Sequence, residues 1–158
     1  MSAVSSVQVG VIGPAAWVRV EGRGTFHNSA SLKKFATEIQ RRGLREFVID
    51  LKDCELMDST FLGTLTGIAL SLGPEDKFTV VRANARNRDV LRNLGLDRIF
   101  AVEDTLPAPE PGELEIAEPL TARRETIIEA HENLVAANPE NAIRFKDVLE
   151  FLRHEAPE

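Results

Sequence analysis

The sequence predicts an α/β fold: a mixed β-sheet packed against helices, followed by a helical extension at the C-terminus. Three observations carry this expectation. Short apolar runs of strand type alternate with stretches of helical period from residue 7 to residue 102. One of those runs, Phe47-Val48-Ile49-Asp50-Leu51, is almost continuous, as expected of a central strand covered on both faces. Four of the eight prolines then fall between residues 107 and 119, after which the helical period resumes.

The elements follow in order. Val7, Val9 and Val11 alternate with Gln8 and Gly10, Gly13-Pro14 breaks the run, and Trp17, Val18 and Val20 follow. This reads as two strands joined by a tight turn, the first at the edge of the sheet. Gly22-Arg23-Gly24 closes the second. A helix comes next, with Asn28 or Ser29 as its cap and Leu32, Phe35, Ala36 and Ile39 on one face. Gly43 suits its left-handed C-terminal position. A helix between Val20 and Phe47 implies a crossover and therefore a parallel strand pair. A loop through Cys54 and Met57 leads to a second helix, capped by Asp58 or Ser59 and stopped at Gly73-Pro74. Inside it Gly63 and Gly67 share a face and cost about 1 kcal/mol each in helix propensity. Such glycines are expected to let the helix approach a sheet closely. Phe78–Val81 is a third strand-like run, Arg86–Leu94 a short helix ended by Gly95, and Ile99–Val102 a last strand.

Residues 1–104 thus form one domain, 105–120 a stiff, acidic, proline-rich linker, and 121–154 a helical hairpin or kinked helix pair. In that last unit Thr121 caps a helix reaching about Ala137, and Asn138-Pro139 starts the next, with Phe145, Val148, Leu149 and Leu152 on one face. About 35 residues are too few to bury a core alone, so this unit must dock on something.

Charge divides at the same place. The formal net charge is −6, but residues 1–103 carry 14 basic and 12 acidic side chains, whereas residues 104–158 carry 5 and 13. Neither part has the basic face a nucleic-acid binder needs. No apolar run approaches the length of a membrane span, and MSAVSSVQVG has neither the basic start nor the apolar stretch of a signal peptide. One cysteine, Cys54, forms no internal disulfide, which fits a reducing cytoplasm. No CxxC, HExxH or His/Cys cluster occurs, so neither a metal nor a cofactor is expected.

One segment is specific. Val48-Ile49-Asp50-Leu51 runs through a short loop into Met57-Asp58-Ser59-Thr60 and then Leu62-Gly63, a buried strand followed by an Asp-Ser-Thr helix start. This resembles the STAS family, the bacterial anti-sigma-factor antagonists. The element order matches, and Leu91-Arg92-Asn93-Leu94-Gly95-Leu96-Asp97-Arg98-Ile99-Phe100 looks like the family's last helix and strand. The resemblance covers residues 5–104. It implies that Ser59 is a phosphoacceptor for a partner serine kinase that is also the anti-sigma factor. It further implies that the unphosphorylated form binds this partner and that a serine phosphatase resets the switch.

The implied partner surface comprises Asp58, Thr60, Phe61 and Leu62. Phe61 stands where the family usually has glycine and is expected to face outward as an apolar anchor. Aligning on Gly22 places Thr25, with His27 and Asn28 nearby, where the family often carries an acidic residue. On this reading the protein is a kinase substrate and not an enzyme, with a possible homodimer through the C-terminal helices. A STAS-like scaffold subunit of another signalling or transport assembly is the alternative.

Other candidates read as structural. Cys54 has only Lys52 nearby to stabilise a thiolate and is taken as a buried structural residue. His27 lies in a loop. His131, between Ile127 and Val135, is expected to be a packed helix residue. Arg82, Arg86, Arg88, Arg92 and Arg98 form a solvated basic stretch that could receive the acidic C-terminal segment.

Overall fold

A computed structural model describes residues 5–104, 115–116 and 124–154. Seven strands and five α-helices run in the order β1 (Ser6–Ile12), β2 (Ala15–Gly24), α1 (Phe26–Arg41), β3 (Glu46–Asp50), β4 (Cys54–Met57), α2 (Ser59–Leu70), β5 (Lys77–Val81), α3 (Ala85–Asn93), β6 (Ala101–Glu103), β7 (Glu115–Ile116), α4 (Arg124–Ala137) and α5 (Asn141–His154). A single 3-10 turn, Leu96–Arg98, separates α3 from β6.

The sheet order is β6-β5-β3-β2-β1-β7, with β4 also paired to β2. β1 and β2 form the antiparallel hairpin expected around Gly13-Pro14. The crossovers through α1, α2 and α3 make the β2–β3, β3–β5 and β5–β6 pairs parallel. Two features differ from the sequence reading. β1 is not the edge strand, because Gln8 and Val9 pair antiparallel with Ile116 and Glu115 of β7. That two-residue strand stands within the stretch read as linker; Pro107, Pro109, Pro111, Pro119 and the cap proposed at Thr121 lie outside the described residues. The loop after β3 contains a further strand, β4, since Cys54, Leu56 and Met57 find backbone partners at Gly22, Arg23 and Gly24 of β2.

Strand alternation sorts the side chains to the two faces. Ala16, Val18 and Val20 of β2, Phe47 and Ile49 of β3 and Phe78 and Val80 of β5 join the main core with Leu32, Ala36 and Ile39 of α1, Leu62 and Leu65 of α2, and Leu91 of α3. The opposite face carries a smaller cluster of Ala15, Trp17, Val48 and Val81. Asp50, at the end of β3, is fully buried and accepts from Arg19 at 3.3 Å and Arg82 at 2.8 Å, so its charge is paired twice. Gly43 takes the left-handed conformation (φ 92°) that ends α1.

β2 is long enough to pair with β3 through its middle and with β4 at its end. It runs directly into α1, and β4 runs directly into α2. Two helices that start at the carboxyl ends of adjacent parallel strands must begin side by side. The candidate site is built on that juxtaposition.

α4 and α5 fold back onto this body. α4 lies along α2, and Leu134 and Phe145 join the main core. Gly63 and Gly67 therefore face a helix and not a sheet: a Cβ on Gly63 would overlap the Ala130 carbonyl, and one on Gly67 would overlap the Asn133 amide. Asn133 Nδ2 also donates to the Gly63 carbonyl at 3.2 Å. Among the described residues no helix is long and apolar enough to cross a membrane.

Candidate functional site

Asp58 is the N-cap of α2, in extended conformation, and its Oδ1 accepts from the Phe61 amide at 2.8 Å. Its Oδ2 accepts from the amide of Phe26, the first residue of α1, at 2.9 Å. The Asp58 amide in turn donates to the Gly24 carbonyl at 2.8 Å. One carboxylate thus serves two helix N-termini, where both dipoles favour a negative charge.

Ser59 is the first residue of α2, so the cap falls on Asp58 and leaves the serine hydroxyl free for other use. The Ser59 and Thr60 amides belong to the first turn, outside the intrahelical ladder. α1 begins earlier than the sequence reading placed it. Thr25 is its cap, accepting from the His27 amide at 3.2 Å, while Asn28 Oδ1 accepts from the Thr25 amide at 3.3 Å in a reciprocal capping box. Neither Asn28 nor Ser29 is the cap.

Around Ser59 the predicted residues divide into two groups. Asp58, Ser59 and Thr25 are partly exposed and His27 is exposed. Thr60, Leu62 and Asn28 are buried. The expectation that Phe61 faces outward is corrected: it is 0% exposed, with its ring against Gly24, where an added Cβ would come within 2.6 Å of it. The stripe of Phe61, Leu62 and Leu65 all points inward because α2 is covered by the sheet on one side and by α4 on the other. At the start of α1 the exposed aromatic is Phe26, 41% exposed, its ring centroid 4.0 Å from that of His27. The pattern Thr25-x-x-Asn28 is the local signal that could have placed Phe26 at a helix start.

The sequence reading missed the role of His131. It is packed, as expected, at 2% exposure, but it packs over Ser59. His131 Nε2 lies 2.8 Å from Ser59 Oγ, and its Nδ1 lies 2.8 Å from the Ile127 carbonyl one turn back. A carbonyl only accepts, so Nδ1 donates to it, which leaves Nε2 as the ring atom that shares a hydrogen bond with the serine hydroxyl. The Phe145 ring meets the imidazole edge-on at 5.0 Å. An open groove beside this pair is walled by Ile127, Val148 and Phe151, with Asp147 at its rim. Nothing near His131 in the sequence signals the contact, because its partner is 72 residues away.

The remaining candidates have structural roles. Cys54 is buried, and its Sγ donates to the Leu56 carbonyl at 3.4 Å. Burial pushes the thiol up to about 11, the opposite of what a reactive thiolate requires. In the basic stretch, Arg82 pairs with Asp50, Arg88 with Asp104 and Arg92 with Asp89. Among the described residues, α4 meets α1 through Glu129 and Lys33, and Arg144 of α5 donates to the Asn93 carbonyl at the end of α3.

Residues 6–108 match the STAS domain family. Among solved structures, an anti-sigma factor antagonist from Mycobacterium paratuberculosis is 26% identical, with a TM-score of 0.59 over 67% of this chain and 92% of that one. A putative anti-sigma factor antagonist from Thermotoga maritima is 25% identical, with a TM-score of 0.57 over 62% and 86%. The phosphorylated form of the Bacillus cell fate determinant SpoIIAA shares the fold at 15% identity, with a TM-score of 0.53 over 61% and 90%. No curated protein sequence matches. The family match ends at residue 108, so α4 and α5 lie beyond it.

Proposed function

The chain belongs to the STAS domain family, and from that premise we propose that it is a phosphorylation-controlled anti-sigma factor antagonist. On this reading it binds a kinase-type anti-sigma factor while Ser59 is unmodified, releases it once Ser59 is phosphorylated, and is reset by a serine phosphatase. The observation that carries the reading is the place of Ser59: the first residue of α2, immediately after the Asp58 cap, at the paired helix starts of a STAS body.

The chemistry suits a switch. Phosphate on Ser59 lies beside first-turn amides and a helix dipole that favour it, so the domain need not unfold. It adds about −1.5 to −2 charge next to the Asp58 carboxylate. Even at the dielectric of water, a −2 and a −1 group about 6 Å apart repel by on the order of 1.4 kcal/mol, a tenfold change in affinity. Desolvation under a partner enlarges that difference. Phe26 and His27, exposed beside Thr25 and Asp58, take the contact role that the sequence reading gave to Phe61.

The test is a pull-down from the native organism with phosphosite mapping, using the full chain as bait. Capture of a kinase-type anti-sigma factor, lost with Ser59→Asp, together with phosphate mapped to Ser59, is the expected result. Continued phosphorylation of Ser59→Ala by that kinase would end the assignment. Capture of membrane transport subunits, indifferent to Ser59→Asp, would favour the scaffold reading.

A further inference from the structure

We propose that the α4–α5 hairpin is a cover docked in cis on α2, which must lift before Ser59 can be phosphorylated or its surface can seat a partner. This rests on the reading of Ser59 as the phosphoacceptor and assigns that site an autoinhibitory regulator within the same chain.

Three observations carry it. First, the reacting atom is engaged. In phosphoryl transfer from ATP, Ser59 Oγ forms a bond to the γ-phosphorus as the bond to the ADP oxygen breaks, and the hydroxyl proton passes to a base of the kinase. Here Oγ is held in a 2.8 Å hydrogen bond with Nε2 of His131, a buried side chain of α4. The kinase cannot place its own base and nucleotide on this hydroxyl while α4 lies over it.

Second, the contact is built into α2. Gly63 and Gly67 are the two positions at which any side chain would strike α4, at the Ala130 carbonyl and at Asn133. The hairpin also has fixed polar anchors elsewhere. The buried Asn141 donates to the carbonyls of Leu94, at 3.2 Å, and Leu134, at 2.8 Å, tying the α4–α5 turn to the end of α3.

Third, the hairpin is separable from the core it covers. Among the described residues the main core is supplied almost wholly by residues 7–100, with Leu134 the one fully buried contributor from the hairpin. Conversely, α4 and α5 have 14 residues each, a length at which isolated helices are marginal in water, so off the body they lose their structure. Docking and folding of the hairpin are therefore one event, with two discrete states that a partner or kinase can bias.

Two kinase-free measurements on the full chain test this. In a Cys54→Ala, Ser59→Cys background, alkylation of the introduced thiol by iodoacetamide is expected to speed up on the order of tenfold or more when Ala130→Arg is added, as the competent fraction grows. Equal rates in two folded proteins would overturn the cover. Amide exchange on the unmodified chain guards against a variant that fails to fold. The α4 amides are expected to be protected, yet to exchange at least about tenfold faster than those of Phe47–Ile49 in β3, through an opening short of global unfolding. Unprotected α4 amides would overturn the docked state, and protection equal to that of β3 would overturn the lifting. Absence of phosphate on Ser59 after incubation of the folded Ala130→Arg chain, with Ser59 and Cys54 intact, with an anti-sigma factor kinase would instead overturn the phosphoacceptor reading, leaving the alkylation difference intact.

Discussion

The Asp58 carboxylate holds the Phe26 amide at 2.9 Å, so the first residue of α1 is capped by the residue that precedes α2. Its second oxygen caps α2 itself at Phe61. Asp58→Ala removes both bonds at once, and at about 1 kcal/mol per lost cap the expected destabilisation is about 2 kcal/mol. Asp58→Asn can keep only one of the two bonds, because its amide nitrogen is a donor facing another donor. It should fall between wild type and Asp58→Ala. Urea titrations of the three proteins check the order; an Asp58→Asn variant as stable as wild type would contradict the double cap.

The two α2 glycines should respond differently to the same substitution. Gly63→Ala drives a methyl group into the Ala130 carbonyl, part of the α4 backbone, whereas Gly67→Ala meets the tip of the Asn133 side chain, which can turn aside. Both gain about 1 kcal/mol of helix propensity within α2. Gly63→Ala is therefore expected to undock α4 while leaving the sheet intact, and Gly67→Ala to leave α4 largely in place. Amide exchange of Ile127–Ala137 in the two variants reads the difference, and similar loss of protection in both would refute it.

Cys54 gives a pH dependence of definite sign. Burial raises its thiol from an ordinary 9.0 to about 11, so the folded chain holds the proton over a range in which the unfolded chain releases it. The stabilisation from this group is fully present below pH 9 and is lost as pH rises toward 11, by up to about 3 kcal/mol at 1.4 kcal/mol per unit. Denaturant midpoints measured from pH 8 to 11 should fall more steeply for wild type than for Cys54→Ala. Parallel curves would show that Cys54 is not the cause.

Much of this architecture was legible locally. Leu32, Ala36 and Ile39 at helical spacing, the apolar run through Phe47 and Ile49, and the Gly13-Pro14 break each correspond to an observed element. The Asp58-Ser59-Thr60 start was also readable, because capping depends on neighbours three residues away. The misreadings have definite causes. Cys54–Met57 reads as a loop because it is too short for alternation to show, and only its pairing with the end of β2 makes it a strand. Thr25 does not stand out as the α1 cap because its partner at the third position is Asn28, where the usual capping box has an acidic or glutamine side chain. Asn138 does accept from the Glu140 amide at 3.1 Å, but helical structure begins only at Asn141.

The sequence by itself determined the order of the helices and of every strand except β4 and β7, the parallel crossover from β2 to β3, the division between a near-neutral body and an acidic extension, and the place of Asp58-Ser59 at the start of α2. These follow from periodicity, capping and charge, which act between residues close along the chain. Only the tertiary structure decided that Phe61 is buried while Phe26 is exposed, and that Gly63 and Gly67 receive a helix where a sheet was expected. It likewise decided that His131 closes over a serine 72 residues away. Those outcomes depend on which surfaces meet when α4 folds back onto α2. Side-chain volume and hydrogen-bond geometry settle that meeting only once both helices are in place.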